Sequence, residues 1–353
     1  MTPRVSVVMP VHNGEAFLEE AVESVLHQTL RELELVAVDD GSTDGSPGIL
    51  AAAAERDGRV RVLRRERGGV RAALNDGCAA AEAAYIARLD ADDVALSDRL
   101  ERQAALLDAS PDVGLVGGAY VVIDASSARR SAVRCPTSDA ELRARLHRYN
   151  VFAHPTVMFR REAFEQAGGY RLPEVEDYDL WLRISERWRL AALPDPVIAY
   201  RHHAGQASVA NVGEQALCLL ASRAAAERRR RGEPDPLVGV ARVTPELLAR
   251  LGVSPAEFAR EVVDHHVRWA TMLAEGGDRA AAEELLAQAA APGAPYSRRE
   301  LAAHVALGRA KESVRCRRPL RAMRLLAEAL AAQPGTVASD ARATLARRRR
   351  TGP

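Results

Sequence analysis

Short hydrophobic runs alternate with helical patterns through the first hundred residues. Runs rich in Val, Leu and Ile predict buried strands at 5–9, 33–38, 60–63 and 85–89. Between them, apolar residues recur with helical spacing at 15–27, 46–56 and 70–83. Repeated strand–helix units favour an α/β fold with a mostly parallel central sheet and helices on both of its faces.

The pattern becomes less regular after this first part. Ser97 is the predicted N-cap of a helix that runs to Ala109, just before Pro111. Further strands are predicted at 113–116, 119–123, 156–159 and 197–200, and a helix begins near Asp177.

Beyond Asn211 the chain is rich in Ala, Arg, Leu and Glu and poor in strand formers, which predicts an all-α region. We therefore expect two domains, residues 1–210 and 211–353. Leu285–Ala289 is repeated with one substitution at Leu325–Ala329, forty residues later. This spacing is compatible with stacked, tetratricopeptide-like helical hairpins, and also with chance similarity between alanine-rich helices.

Composition narrows the class of protein without identifying it. A hydrophobic content of 47% supplies a sizeable core, and a net charge of +1 gives no general bias towards nucleic acids. The four cysteines are far apart and form no CxxC pair, which is typical of reduced thiols in a cytoplasmic protein. We expect no signal peptide, because residues 1–4 lead directly into the first predicted strand, and no membrane span, because no apolar run reaches 18 residues.

The clearest chemical signal is Asp90-Ala91-Asp92, which directly follows the predicted strand at 85–89. In open α/β sheets, the carboxyl ends of the strands are where ligands bind. Two adjacent carboxylates repel each other, so a divalent cation carrying a diphosphate is a natural ligand. The alternative is an acidic loop that caps a helix.

Other acidic and imidazole groups occupy similar positions. Asp39-Asp40 ends the second predicted strand, and Glu176-Asp177 opens the predicted helix. His202-His203 follows the predicted strand at 197–200.

Taken in order, these segments resemble glycosyltransferase family 2, whose fold is the Rossmann-like GT-A fold. The resemblance covers about residues 4–210, and five blocks in the family's order carry it. The blocks are Val5–Gly14 with Val38–Asp44, Ala87–Asp93 with Arg99-Leu100, His154–Arg160, Glu176–Trp181 and Tyr200–Ser208.

The resemblance implies a nucleotide pocket. Asp40 would accept a hydrogen bond from a ring N–H of the base; alternatively it stabilises the turn at Gly41-Ser42. Arg71 and Asn75 match the family loosely, and either is alternatively a solvated helix residue. The implied pocket consists of Pro10, Val11, Asn13, Asp40, Arg71 and Asn75.

The resemblance also implies the reacting groups. Asp92 would bind Mn²⁺ or Mg²⁺ together with His203, and Asp90 would contact the ribose or support the metal. Asp177 would be the general base, with Glu176 as its nearest rival. The competing interpretations are a plain helix N-cap at Asp177 and surface positions for the two histidines.

The predicted function is an inverting glycosyltransferase. Its donor would be a UDP, GDP or dTDP sugar, and its acceptor a glycan, a lipid-linked glycan or a small metabolite. We expect no nucleic-acid partner and a cytoplasmic location that includes the inner face of the membrane. The helical region is a candidate contact for a membrane or a partner protein. The alternative is a catalytically inactive nucleotide-sugar-binding scaffold that acts through its helical half.

Overall fold

The computed structural model describes residues 2–203, 211–276, 279–289, 303, 306–307 and 319–332. The chain begins with alternating strands and helices, as its hydrophobic pattern predicts. These elements are β1 (Val5–Val11), α1 (Leu18–Leu26), β2 (Leu33–Asp40), α2 (Ser46–Arg56), β3 (Val60–Arg65), α3 (Val70–Ala80) and β4 (Tyr85–Arg88).

Strands β3, β2, β1 and β4 lie side by side and are parallel. All eight residues of β2 are buried, as expected for a strand covered on both faces. Helix α3 lies close to this part of the sheet because Gly77 has no side chain. A Cβ atom there would stand 2.5 Å from Cγ1 of Val8.

The second half of the sheet mixes strand directions. Strand β8 (Met158–Arg160) lies between β4 and β6 (Val113–Ile123) and is antiparallel to both, whereas β9 (Arg189–Arg201) is parallel to β6. The elements are β5 (Val94–Ala95), α4 (Arg99–Ala109), β6 (Val113–Ile123), β7 (Arg129–Val133), α5 (Asp139–Leu146), a 3₁₀ turn (His154–Thr156), β8 (Met158–Arg160), α6 (Arg161–Ala167), α7 (Glu176–Ser185) and β9 (Arg189–Arg201).

Within the described residues, the strands form one nine-stranded sheet in the order β3-β2-β1-β4-β8-β6-β9-β5, with β7 paired to β6. The two strands predicted at 113–116 and 119–123 are a single strand, and the one predicted at 197–200 begins at Arg189. The N-cap of α4 is Asp98 rather than Ser97.

Helices follow the sheet. They are α8 (Val212–Arg230), α9 (Pro245–Arg250), α10 (Pro255–Gly276), α11 (Arg279–Ala289) and α12 (Pro319–Ala332). No strand follows Arg201 in the part of the chain that the structure describes. The predicted fold class, an α/β sheet followed by a helical region, is therefore confirmed. None of the described helices is long and apolar enough to cross a membrane.

The described chain divides into two compact units. The first comprises residues 1–201 and 217–252, and the second comprises 202–216 and 253–353. Helix α8 contributes to the core of the first unit, where Leu219 and Ala226 join the cluster around Trp181. The domain boundary at residue 210 stays a prediction.

The second unit contains its own apolar clusters. One of them is formed by α10, α11 and Val212, with Ala270, Leu273 and Leu285 buried. The two copies of the possible repeat lie on α11 and α12. Residues 290–302, 304–305 and 308–318 between them lie outside the described residues, so the hairpin array stays a prediction.

Candidate functional site

Three parallel strands end at one edge of the sheet, and polar residues follow each of them. Val11 of β1 is in register with Asp39 of β2, and Val8 is in register with Arg88 of β4. Asp40 is the last residue of β2, and the loops that follow β1 and β4 carry Asn13 and the acidic segment at 90–93. The sheet thus brings together groups that are far apart in the sequence.

Asn13 connects the loops that follow β1 and β2. Its Oδ1 accepts a hydrogen bond from the Thr43 backbone N–H at 2.8 Å, and its own N–H donates to the Ser42 hydroxyl at 3.1 Å. Its φ of 52° lies in the left-handed region, which asparagine tolerates better than most residues. Beside it, Val11 is buried and Pro10 is half-buried. Asn13 shapes the loop, and its contact with a nucleotide stays a prediction.

Asp40 fastens the loop after β3 to the end of β2. Its Oδ1 accepts from the Gly68 N–H at 2.9 Å and from Arg65 Nη1 at 2.8 Å, and its Oδ2 accepts from the Gly69 N–H at 2.8 Å. The turn after β2 is held by the neighbouring Asp39, whose Oδ1 accepts from the Ser42 N–H at 3.0 Å. Asp40 therefore organises the loop beside the predicted base pocket.

Arg71 and Asn75 lie on α3 and face the segment before α7. The Asn75 amide donates to the Tyr170 carbonyl at 2.9 Å and accepts from the Tyr170 N–H at 3.0 Å. Arg71 donates to the Arg171 carbonyl at 3.2 Å. Both side chains are thus more than solvated helix residues, and their contact with a nucleotide stays a prediction.

The loop between β4 and β5 concentrates negative charge. One carboxylate oxygen from each of Asp90, Asp92 and Asp93 lies within 4.8 Å of the others. Asp90 forms an ion pair with the buried Arg88. Burial raises the pKa of Asp90 to about 6 against the attraction of Arg88, and the Asp92 carboxylate adds to the increase.

Asp93 was not predicted as a site residue, yet it is the most buried member of this cluster. Its Oδ1 accepts from the Arg201 backbone N–H at 2.8 Å, and Oδ2 has no hydrogen-bond partner among the described residues. Burial and the two neighbouring carboxylates raise its pKa well above the usual value. Crowded carboxylates with an unpaired buried oxygen fit a hard divalent cation such as Mn²⁺ or Mg²⁺.

A second acidic group opens α7. Val175 precedes the helix with φ 48° and ψ 34°, a left-handed conformation that a β-branched residue rarely adopts. Such a conformation costs roughly 1–3 kcal/mol and is found most often at functional sites. It places Glu176 and Asp177 in the first turn, as predicted for Asp177, and both are buried.

Hydrogen bonds fix the orientation of Asp177. Its Oδ2 accepts from the Asn150 amide at 2.6 Å, and its Oδ1 accepts from the Tyr178 N–H at 2.7 Å. Burial raises the pKa of Asp177, and the hydrogen bond from Asn150 opposes that increase by favouring the charged form.

His154 lies beside this acidic pair, within an aromatic cluster. Its Nε2 is 3.0 Å from the Tyr170 hydroxyl, and its Nδ1 is 3.4 Å from Oε1 of Glu176. The ring meets Trp181 edge-on with 5.6 Å between centroids. Burial, and then the charge of Arg88, lower the pKa of His154 to about 3, so this imidazole is neutral at pH 7.

Arg88 links the two acidic groups electrostatically. Besides pairing with Asp90, its charge lowers the pKa of Glu176, although burial raises that pKa overall. The Glu176 charge in turn contributes to the raised pKa of Asp90. The acidic loop and the start of α7 therefore belong to one electrostatic environment, which the sequence did not reveal.

The predicted ligand His203 belongs to the second unit, as does its neighbour His202. His202 is buried, and its Nδ1 lies 3.2 Å from the Met272 carbonyl oxygen in the same unit. The end of the last family-like block, residues 204–208, lies outside the described residues. The role of His203 as a metal ligand stays a prediction.

Comparison with known proteins adds independent information. Residues 6–168 match the sequence profile of Glycosyl transferase family 2. The amylovoran biosynthesis glycosyltransferase AmsE of Erwinia amylovora is 34% identical over 204 residues, which are 56% of this chain and 75% of AmsE. The O-antigen biosynthesis glycosyltransferase WbnJ of Escherichia coli is 32% identical over 206 residues, which are 56% of this chain and 80% of WbnJ.

Solved structures share the fold. Residues 1–349 of TarS from S. aureus are similar with a TM-score of 0.53 at 16% identity, covering 94% of this chain and 92% of that chain. The same portion of TarS in complex with UDP-GlcNAc gives a TM-score of 0.54 at 16% identity, covering 92% and 90%. At this level of identity the likeness concerns the fold alone.

Proposed function

The chain belongs to glycosyltransferase family 2 and is a glycosyltransferase, and we propose that it is an inverting, metal-assisted one. The donor would be a nucleoside-diphosphate sugar, and an acceptor hydroxyl would attack its anomeric carbon in a single displacement. One observation carries this proposal: the charge of Arg88 acts both on the crowded acidic loop and on Glu176, which is the residue next to the buried and oriented Asp177.

Asp177 is the proposed general base. An attacking hydroxyl becomes a better nucleophile when a carboxylate accepts its proton as the new bond forms. The hydrogen bond from Asn150 fixes one Asp177 oxygen at 2.6 Å, and the start of α7 places positive backbone N–H groups beside the carboxylate. Both effects favour the ionised form, which is the form a base needs.

Asp90 and Asp92 are the proposed residues for a divalent cation, with His203 as a further ligand from the sequence resemblance. A cation held there would supply positive charge to the departing nucleoside diphosphate. Arg88 adds a fixed positive charge next to Asp90 and limits the repulsion within the acidic loop.

The nucleotide would lie along the ends of β1 and β2. Asn13 and Asp40 organise the loops there, with Pro10 and Val11 in the adjoining strand, and Arg71 and Asn75 support the other wall. We infer that these loops form the base and ribose pocket and that Asp40 sets the shape of its rim.

The acceptor is proposed to be a saccharide in the synthesis of a surface polysaccharide. The names of WbnJ and AmsE refer to O-antigen and amylovoran biosynthesis, which supports this class. Such an acceptor would bring the enzyme to the cytoplasmic face of the membrane. The inactive-scaffold alternative is not favoured, because the acidic loop and Asp177 are all present.

A thermal-shift panel tests the donor site. The full chain is heated with UDP, GDP or dTDP, each with and without Mn²⁺. A ligand at a hundred times its dissociation constant stabilises a fold by about 2.7 kcal/mol. We expect a Mn²⁺-dependent increase in Tm with one nucleotide, and its loss in Asp92→Asn.

Asp98→Asn is the matched control. Asp98 lies a few residues further along the same segment, where it pairs with Arg102 on the surface. This variant should retain the wild-type shift. The proposed donor site would be wrong if no nucleotide changed the Tm of the wild-type chain, or if Asp92→Asn shifted as much as the wild type.

A further inference from the structure

The buried carboxylate of Asp93 is an unusual feature of the acidic loop. The residue is fully buried, one of its oxygens lacks a partner among the described residues, and it stands beside two other carboxylates. A buried charge that is not fully paired is costly for the folded state. Such a cost is characteristic of groups that are kept for binding rather than for stability.

Arg201 holds Asp93 and the loop in this arrangement. Its backbone N–H donates to Asp93 Oδ1, and its Nε donates to the carbonyl of Asp92 at 2.8 Å. The same guanidinium donates to the Asp124 carbonyl at 3.1 Å and to Glu20 at 2.6 Å. The fully buried Arg201 thus ties the loop to the β6–β7 connection and to α1.

The crowding of the three carboxylates points to a cation. Asp90, Asp92 and Asp93 each place an oxygen in the same small space, and a divalent cation there would offset the repulsion among them. The carboxylate oxygens are close enough together to act on one hydrated ion.

We propose that Asp93 is a third carboxylate of the cation site, acting directly or through a metal-bound water, and that Arg201 is the residue that positions it. The inference rests on the proposed metal-assisted function and extends it to two residues that the family-like motifs did not assign. It predicts that Asp93 lowers the stability of the metal-free protein and raises its affinity for the cation.

Asp93→Asn separates these two effects, because the amide keeps an oxygen for the Arg201 N–H and removes the charge. In EDTA we expect this variant to have a higher Tm than the wild type. In a titration with Mn²⁺ in the presence of UDP or GDP, followed by electron paramagnetic resonance of free Mn²⁺, we expect roughly ten- to a hundred-fold weaker binding. Arg201→Lys keeps the backbone N–H that contacts Asp93 but loses the guanidinium contacts that hold the loop, so it should weaken Mn²⁺ binding in the same direction.

Asp179→Asn is the control for burial. Asp179 is fully buried but pairs with Arg171 and Arg183, so its variant should have a lower Tm and unchanged Mn²⁺ affinity. Wild-type Mn²⁺ affinity in Asp93→Asn, or a lower Tm or loss of folding in EDTA, would overturn the inference. If Asp92→Asn lost Mn²⁺ binding and Asp93→Asn kept it, the proposed function would stand and the inference about Asp93 would fail. If the wild type bound no Mn²⁺ with either nucleotide, the proposed metal-assisted function and the inference about Asp93 would both fail.

Discussion

Two sets of carboxylates lie at the same edge of the sheet and differ in how completely the protein satisfies them. Asp40, at the end of β2, accepts hydrogen bonds from two backbone N–H groups and one arginine. Asp93, after β4, accepts one bond and leaves its second oxygen without a partner among the described residues. Asp40 holds a loop in place, whereas the second oxygen of Asp93 is available for a bound ligand such as the proposed cation.

Asp177, at the start of α7, accepts a hydrogen bond at each oxygen as Asp40 does, but it shares with Asp93 a pKa that burial raises. It is buried and lies two positions after Val175, whose strained left-handed conformation a protein retains only where its surroundings enforce it. The comparison therefore separates residues that fix the shape of the pocket from residues that are available for chemistry. Substitutions should divide in the same way.

The largest expected effect is that of Asp177→Asn. Removing a general base slows a reaction by roughly 10²–10⁴-fold, and the amide is nearly isosteric with the carboxylate. We expect this loss in kcat, measured as release of nucleoside diphosphate, while the thermal shift with the nucleotide stays at the wild-type value.

Glu176→Gln is the companion variant, because Glu176 is the neighbouring buried acid and the rival base. It should reduce kcat much less than Asp177→Asn. If Glu176→Gln reduced kcat more than Asp177→Asn did, Glu176 rather than Asp177 would be the general base.

A smaller effect, on stability rather than on chemistry, is expected for Asp40→Ala. This change leaves the N–H groups of Gly68 and Gly69 without their acceptor, which should cost about 1–3 kcal/mol of unfolding free energy. Urea denaturation measures the loss. An unchanged midpoint of urea denaturation would show that Asp40 does not hold the loop. The contrast between Asp40 and Asp93 would then be wrong.

The most subtle expected effect concerns pH. A base must be ionised, so kcat should fall as the pH drops through the pKa of Asp177, which burial raises above its ordinary value. Asn150→Ala removes a hydrogen bond that favours the ionised form. The acid limb of the kcat–pH profile should therefore move to higher pH, and a limb that stayed in place would argue against Asn150 as a positioning residue.

Local patterns in the sequence predicted the first half of the fold well. The strands β1 to β4 are short and rich in apolar residues, and each is followed by a polar turn, which is the pattern of a parallel sheet. The family-like blocks located the acidic loop and the helix at Asp177. These features depend on residues that are close together in the chain.

The second half was harder because glycine and proline have roles there that depend on distant residues. Gly117 and Gly118 looked like a break in β6, but they are inside the strand. A Cβ at Gly117 would stand 2.2 Å from the Phe152 ring, and one at Gly118 would stand 2.7 Å from Val197. Similarly, β9 continues past Pro196, where its pairing with β6 is irregular.

The supporting residues of the site could not be predicted for a related reason. Asp93 meets Arg201 across 108 positions, and Asn150 meets Asp177 across 27. Neither contact has a periodic or spacing signal in the sequence. Only the folded sheet and the loop before the 3₁₀ turn bring these groups together.

The most direct measurement of the central claim is donor turnover by the full chain. UDP, GDP and dTDP sugars would be supplied with Mn²⁺ and a simple glycoside acceptor, and the anomeric configuration of the product would be read by NMR. The account predicts that one donor class is consumed, that the product is inverted, and that Asp177→Asn slows transfer by roughly 10²–10⁴-fold while the nucleotide still binds. A product that retains the donor's configuration, or full transfer by Asp177→Asn, would contradict it.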